Sequence, residues 1–227
     1  MAISRRDLIK AGAAGASAMI VSNAQALQEN KQGDHAKVMP GPDRMAEIPP
    51  DKMTEAQKKA AAEFLAGRGT AVFGPFVPLL RSPEVMLRAM AMGDYLRFKT
   101  VLPSAIKEFV ILITARHWTQ QYEWAVHYPI AIKAGLKPEI AKALNEGRRP
   151  QGMSSEEELV YDFCTELHSN QSVSDATYAR ALALYGEQGT IDMVSVNGYY
   201  TFLAMVVNVA RTALPKGSAP GLPVFPQ

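Results

Sequence analysis

Cysteine is almost missing from this chain of 227 residues: Cys164 stands alone. One thiol excludes an intramolecular disulfide, a CxxC redox pair and a cysteine-rich zinc site. A strong charge of one sign is missing too. Lysine and arginine number 24 against 22 aspartates and glutamates, a formal net charge of +2. That balance carries no footprint of a nucleic-acid-binding protein. Alternating apolar and polar residues bounded by turn dipeptides are absent, which removes the usual signal for strands. What is there is ample apolar material, 48% of residues against 20% charged. This suffices for one ordinary domain with extensions, not for two full-sized ones, and it excludes global disorder.

Residues 1–26 read as an address. Ser4-Arg5-Arg6-Asp7-Leu8-Ile9-Lys10 precedes small and apolar residues from Ala11 to Val21, then Ala24-Gln25-Ala26, a small-x-small cleavage site. The paired arginines, Lys10 and an apolar stretch diluted by Gly12, Gly15 and Ser17 resemble a twin-arginine export signal. About a dozen apolar residues cannot cross a bilayer that needs about 20, so no stable membrane anchor is expected. The expectation is export to a bacterial periplasm through the twin-arginine machinery. Removing the segment takes away Arg5, Arg6, Lys10 and Asp7, which leaves basic and acidic side chains in equal number.

Residues 27–50 are polar, then rich in proline and glycine, and read as a linker or a strap lying on a neighbour. From Thr54 on, helix follows helix, and the fold class is all-α. Thr54-Glu55-Ala56-Gln57 is a capping box opening a helix to about Gly67. A loop from Gly69 to Pro78 leads to a helix capped by Ser82 with Pro83 at its first position. Pro103-Ser104 opens a buried helix through Ile113. A break near Trp118-Thr119 precedes a helix from Tyr122 to Ala134, stopped by Gly135. Pro138 to Glu146 is a short helix. A second capping box at Ser155-Glu156-Glu157-Glu158 opens a helix to His168. Ser174-Asp175 starts another, ending at Tyr185-Gly186. The last, from about Thr190 to Arg211, is apolar on nearly every side and belongs at the centre or in a subunit interface. The helical domain spans 51–214, and 215–227 form a Pro/Gly-rich tail that cannot be helical.

The densest chemistry runs from Glu108 to His127, a stretch holding both tryptophans and two of the four histidines. Gln120, Glu123 and His127 are spaced three and four apart, on one face at the start of a helix. Desolvation there raises a glutamate's pKa and lowers a histidine's, which makes Glu123 and His127 a workable acid/base pair. Glu108, on the preceding helix, can approach the same point. The plainer reading of an i, i+4 Glu–His pair is a helix-surface contact, and Trp118, Tyr122 and Trp124 equally suit a core. His117 could complete a metal site with His127, Glu123 and Glu108, but no familiar ligand spacing is present, and no cofactor is expected. His168 fits a helix C-terminus. Asn197 and Asn208, buried amides in the last helix, are candidates for a pocket or an interface.

Several segments resemble the carboxymuconolactone decarboxylase family: Leu79-Leu80-Arg81-Ser82-Pro83-Glu84; Gly93-Asp94-Tyr95-Leu96-Arg97-Phe98; Leu102-Pro103 through Glu108; and Tyr122-Glu123-Trp124-x-x-His127-x-Pro129-Ile130-Ala131. Glu158 to Phe163, Val173-Ser174-Asp175 and Gly198-Tyr199-Tyr200 add support. The resemblance spans about residues 50 to 215. It implies a compact all-helical fold assembled as a trimer or hexamer, with the site near a subunit boundary. Its superfamily includes alkylhydroperoxidase D-like proteins, whose motif is a glutamate, a CxxC pair and a histidine. Laid on this chain, the glutamate falls on Glu108 and the histidine on His127, but the cysteine positions hold Gln120 and Glu123. Thiol peroxidase chemistry needs an attacking thiolate and a resolving thiol, and neither is there.

The decarboxylase-like branch keeps Glu123 and His127. It implies a lyase or isomerase that protonates a dienolate formed from a small lactone or unsaturated acid. Arg81, Arg97 or Arg211 would hold the substrate carboxylate, with Gln120, Trp124 and Tyr199 as further substrate-binding candidates. A cytoplasmic catabolic substrate sits poorly with an exported chain, so a related lactone or unsaturated acid is as plausible. The competing reading is a non-enzymatic periplasmic binding or scaffold protein on the same fold.

Overall fold

The computed structural model describes residues 41–218 and 221–224; the export signal and residues 27–40 of the linker lie outside them. Helices α1 (Glu55–Arg68), α2 (Phe76–Leu79), α3 (Pro83–Phe98), α4 (Ser104–His117), α5 (Gln121–Ala134), α6 (Pro138–Asn145), α7 (Ser155–Asn170) and α8 (Asp175–Ala210) follow one another, with no strand among the described residues.

The local signals act where the sequence places them, with a few shifts. Thr54 and Gln57 form the capping box of α1. The cap of α7 is Ser154, one residue before the expected Ser155, because its hydroxyl reaches the Glu157 N–H. Ser82 precedes α3 without a side-chain cap bond; Pro83 at the first position suffices. The expected loop 69–78 runs into the turn α2, pinned because Phe76 and Leu79 bury their side chains one turn apart. The two expected C-terminal helices run on as α8, broken at Gly186, whose φ of 67° and ψ of −176° only glycine adopts without strain.

Helix α4 is the axis, packed against α5, α6, α7 and α8. Phe109, Val110 and Leu112 are fully enclosed, and each such side chain contributes about 1.5–3 kcal/mol relative to exposure. Helix α8 is long and apolar enough to cross a membrane by composition, yet half of its apolar window is buried in the fold. That is the pattern of a core helix. The described end of the linker lies against its own chain: Arg44 N–H donates to Ala210 O at 2.7 Å, and Arg81 Nη2 donates to Ala46 O at 2.8 Å. The described residues of the tail, 215–218 and 221–224, are non-helical, and the second stretch is strapped down. Gln121 Oε1 accepts from Gly221 and Leu222 N–H at 3.0 Å, and Leu222 is buried.

A polar seam joins α4, α7 and α8. Asn197 Nδ2 donates to Met193 O at 2.9 Å and Cys164 Sγ at 3.3 Å, and Thr114 Oγ1 lies 3.3 Å from both Asn197 Oδ1 and His168 Nε2. His168 stacks on His117 with ring centroids 4.4 Å apart. Burial, reinforced by the facing His117, lowers the His168 pKa to about 4, and burial also lowers that of His117. The unfolded chain therefore takes up protons near pH 6.5 that the fold refuses, and stability is lost as pH falls from about 6.5 toward 4. Melting curves between pH 6.5 and 4.5 are expected to show this loss, with His168→Gln flattening it; an equally steep loss in the variant would exclude the stacked pair as its source.

Candidate functional site

Helices α4 and α5 fold back on each other through Trp118-Thr119, where Thr119 takes the left-handed φ of 47°. The reversal carries His127 back beside Glu108. His127 Nδ1 and Glu108 Oε2 are 2.6 Å apart, both side chains buried. The carboxylate accepts, so the proton sits on Nδ1 and the opposite nitrogen, Nε2, is the reactive one. That nitrogen lies 3.5 Å from Glu123 Oε2, one helical turn earlier. Such a distance is too long for a strong hydrogen bond and short enough to close when a ligand arrives. The ring edge of Tyr200 meets the imidazole at 5.1 Å and 87°, fixing its plane.

Glu123 has an unusual environment. Its side chain is 4% exposed and its Oε1 has no hydrogen-bond partner. Burial raises its pKa; His127 and then Arg97 oppose the shift, and Glu108 adds to it. Burial thus makes the carboxylate form costlier here than at an exposed glutamate. Glu123 and His127 line a cavity of about 70 Å³ together with Arg68, Arg97, Tyr199 and Tyr200. Phe73, Phe76, Val126 and Leu203 supply apolar wall. Burial raises the pKa of both Tyr199 and Tyr200, so both phenols stay protonated and can donate. Tyr122, also on the wall, is seated against Gly74, whose φ of 54° suits glycine and whose missing Cβ leaves room for the phenol.

The structure thus brings together Glu108, Glu123, His127, Arg97 and Tyr199. It places four other candidates elsewhere. Gln120 is the N-cap of α5 with extended backbone, so helical spacing does not carry it onto the Glu123 face. It accepts from the Tyr122 N–H at 2.6 Å and donates to Asn208 Oδ1 at 2.7 Å. Trp124 points away, stacked on Tyr128 and packed against Gly221. Arg81 is engaged with the carbonyls of Met45, Ala46 and Val77. Arg211 ends α8 in the left-handed conformation beside Gly41. His117 sits at the far end of α4, nine residues and about 13 Å of helix from Glu108, and among the described residues no cluster of three ligating side chains suits a metal ion. Asn197 belongs to the polar seam, and Asn208 holds Gln120.

Two cavity residues are not among the site residues that the sequence suggests. Arg68, in the last turn of α1, looks like an ordinary basic residue at a helix C-terminus. Tyr200 falls in an apolar helix and reads as core. Phe73 and Phe76, aromatic residues in a segment of glycine and proline, are the cue that could have pointed to a pocket wall.

No family model matches the sequence, and no curated protein matches it closely enough to count as a relative. Solved structures do share its fold. An uncharacterized peroxidase-related protein from Silicibacter sp. TM1040 is 12% identical, covering 78% of this chain and 94% of its own, with a TM-score of 0.61. An alkylhydroperoxidase AhpD core, an uncharacterized peroxidase-related protein from Ralstonia eutropha JMP134, is 15% identical over 78% and 94%, again at 0.61. A cysteine-to-alanine form of the debrominase Bmp8 in complex with 2,3,4-tribromopyrrole is 10% identical over 78% and 95%, at 0.60. Identities this low establish the common helical fold alone.

Proposed function

We propose that this alkylhydroperoxidase D-like fold carries an acid/base enzyme, a lyase or isomerase that moves a proton on a small lactone or unsaturated carboxylic acid. The observation that carries the reading is the line Glu108–His127–Glu123, which ends on an unpartnered, buried carboxyl oxygen at a cavity wall. Arg97 lines the same cavity with no ion-pair partner among the described residues, as a carboxylate-binding group requires. When a carboxyl group leaves as CO₂, or an acidic C–H proton is removed, the electron pair is left on a dienolate. Glu123 as neutral acid, or His127 as imidazolium, returns the proton to carbon. Lowering water content by the phenylalanine wall strengthens both steps.

The fold's thiol does not compete for this role. Cys164 is fully buried beside Asn197, and burial pushes its thiol up to about 12. Thiol-directed alkylation of the native protein is expected to be negligible and to become complete on unfolding; rapid native labelling would reopen thiol chemistry.

Solvent deuterium incorporation and turnover on a panel of small lactones and unsaturated acids test the proposal. His127→Ala is expected to lose about 10²–10⁴-fold. Equal turnover by both proteins would sink the site, and no turnover across the panel would favour a non-catalytic binding protein.

We further propose a periplasmic homo-oligomer, a trimer or hexamer. Its support is residues 1–26 for export, and for assembly an exposed apolar stripe of Ile191, Val194, Met205 and Val209 along α8, together with Phe98, 68% exposed at the end of α3. Replacing Arg5 and Arg6 by lysine should retain the protein in the cytoplasm. A monomer by light scattering at micromolar concentration would count against assembly.

A further inference from the structure

The cavity that holds Glu123 and His127 is about 70 Å³, well short of the roughly 300–1,000 Å³ of an open ligand pocket. Water fits inside; an organic molecule enters only if a wall moves. The walls are unequal. Most lining residues stand on helices, where movement would break hydrogen-bonded turns. The exceptions are Phe73 and Pro75, and Pro75 is buried. Phe73 is 42% exposed, whereas every other lining residue is buried or half-buried.

The segment that carries Phe73 is held loosely. Among the described residues, no N–H from Thr70 to Gly74 donates to a protein acceptor. Regular bonding stops just before it, where Gly69 N–H donates to Leu65 O at 2.8 Å, and resumes just after it, where Phe76 N–H donates to Phe73 O at 3.1 Å. Gly69 and Gly74 stand at its two ends with φ of 70° and 54°, left-handed backbone that glycine adopts without strain. Between them Val72 packs against the core, and the Phe73 ring meets Phe64 at 5.8 Å and Phe76 at 6.2 Å, both edge-on. A Cβ on Gly74 would stand 2.9 Å from Tyr122 Cζ, so this end turns beneath the phenol. On the other side, Ala71 and Val72 border an apolar cleft of about 330 Å³, which leaves the segment room to shift.

We propose that residues 70–73 are a lid hinged at Gly69 and Gly74, and that Phe73 is the gate residue deciding what reaches Glu123 and His127. With its ring against Phe64 and Phe76 the cavity is shut; with the ring swung outward the wall opens to solvent. Two edge contacts and one aliphatic anchor hold the closed form, so opening draws on a small part of the fold's stability and leaves the core helices in place. This rests on reading the cavity as the site of chemistry, and adds how that site is reached.

Thiol labelling of the full chain tests the lid without any turnover. Leu203→Cys puts a thiol on the cavity wall, at a position 4% exposed. Native Cys164, fully buried in α7, reports global unfolding in the same molecule. Iodoacetamide is too bulky to reach residue 203 through the closed wall. Residue 203 is expected to react well ahead of Cys164. Phe73→Ala should speed residue 203 about tenfold or more, the effect of losing two edge contacts, with Cys164 unchanged. Phe73→Trp keeps an aromatic plug of larger size and should slow residue 203 several-fold. If Leu203→Cys is unstable, Val126→Cys on α5 carries the same comparison. Residue 203 labelled no faster than Cys164, a rate indifferent to both Phe73 variants, or an acceleration shared by Cys164 would each overturn the lid. Turnover reads the other proposal separately. A working lid on a chain that turns over nothing removes the acid/base reading and leaves the gate standing; turnover with labelling indifferent to Phe73 does the reverse.

Discussion

Glu123→Gln is expected to lower proton transfer by about 10²–10⁴-fold and, at neutral pH, to raise the melting temperature. The two effects share one cause. Glu123 is buried with one oxygen unpartnered, and desolvation raises its pKa in the fold. The unfolded chain releases this proton at the usual carboxyl pKa, whereas the folded chain retains it. Above that usual value the folded state therefore binds more protons than the unfolded state, and stability falls as pH rises toward the folded pKa. Glutamine has nearly the same shape, no proton to lose and no charge to desolvate. The variant's stability advantage should thus widen from about pH 4.5 upward. Its acid function disappears at the same time, and with it the high-pH limb of the rate profile that reports loss of the Glu123 proton. Thermal melting across pH 4–8 and deuterium incorporation into a turned-over substrate read the two effects separately. A variant less stable at pH 7 than wild type would show that the carboxylate, not the acid, is the form that the fold holds.

Gly93→Ala is expected to cost about 1–3 kcal/mol and most of the activity, although residue 93 touches no substrate. A Cβ there would collide with the Tyr199 hydroxyl and lie 2.8 Å from its Cζ. Tyr199 is only 4% exposed, and its ring is wedged at 5.3 Å against Tyr200, which in turn braces His127. Relief therefore requires the ring to move into the cavity or the helices α3 and α8 to separate. Adding Tyr199→Phe removes the colliding hydroxyl and should recover part of the loss, a non-additive cycle that tests the contact directly. Denaturant unfolding and turnover of the single and double variants measure it; an additive pair, or a neutral Gly93→Ala, would show that the approach is looser than drawn.

Local chemistry made much of the fold legible. The Thr54–Gln57 capping box, Pro83 at the start of α3, the apolar run from Ile106 to Ile113 and the stop at Gly135 each act within a few residues, so they survive whatever the chain does elsewhere. Elsewhere a distant partner decides where a side chain goes. Gln120 stands at the right spacing from Glu123, yet it caps α5 and bonds Asn208, 88 residues away. Arg81 looked like a carboxylate ligand until the chain at Met45 and Ala46 came to lie across it.

Composition, caps and spacing along the chain are enough to make it helical, to rule out a two-thiol mechanism with Cys164 alone, and to set Glu123 and His127 one helical turn apart. Tertiary structure decided the rest: that Glu108 reaches His127, that Glu123 loses its water, and that Arg68 and Arg97 close the cavity while Arg81 and Arg211 do not. Spacing along a helix is a property of a few neighbouring residues. Desolvation and the convergence of charges depend on which helices pack together, and those contacts join residues too far apart in the chain for any local pattern to encode.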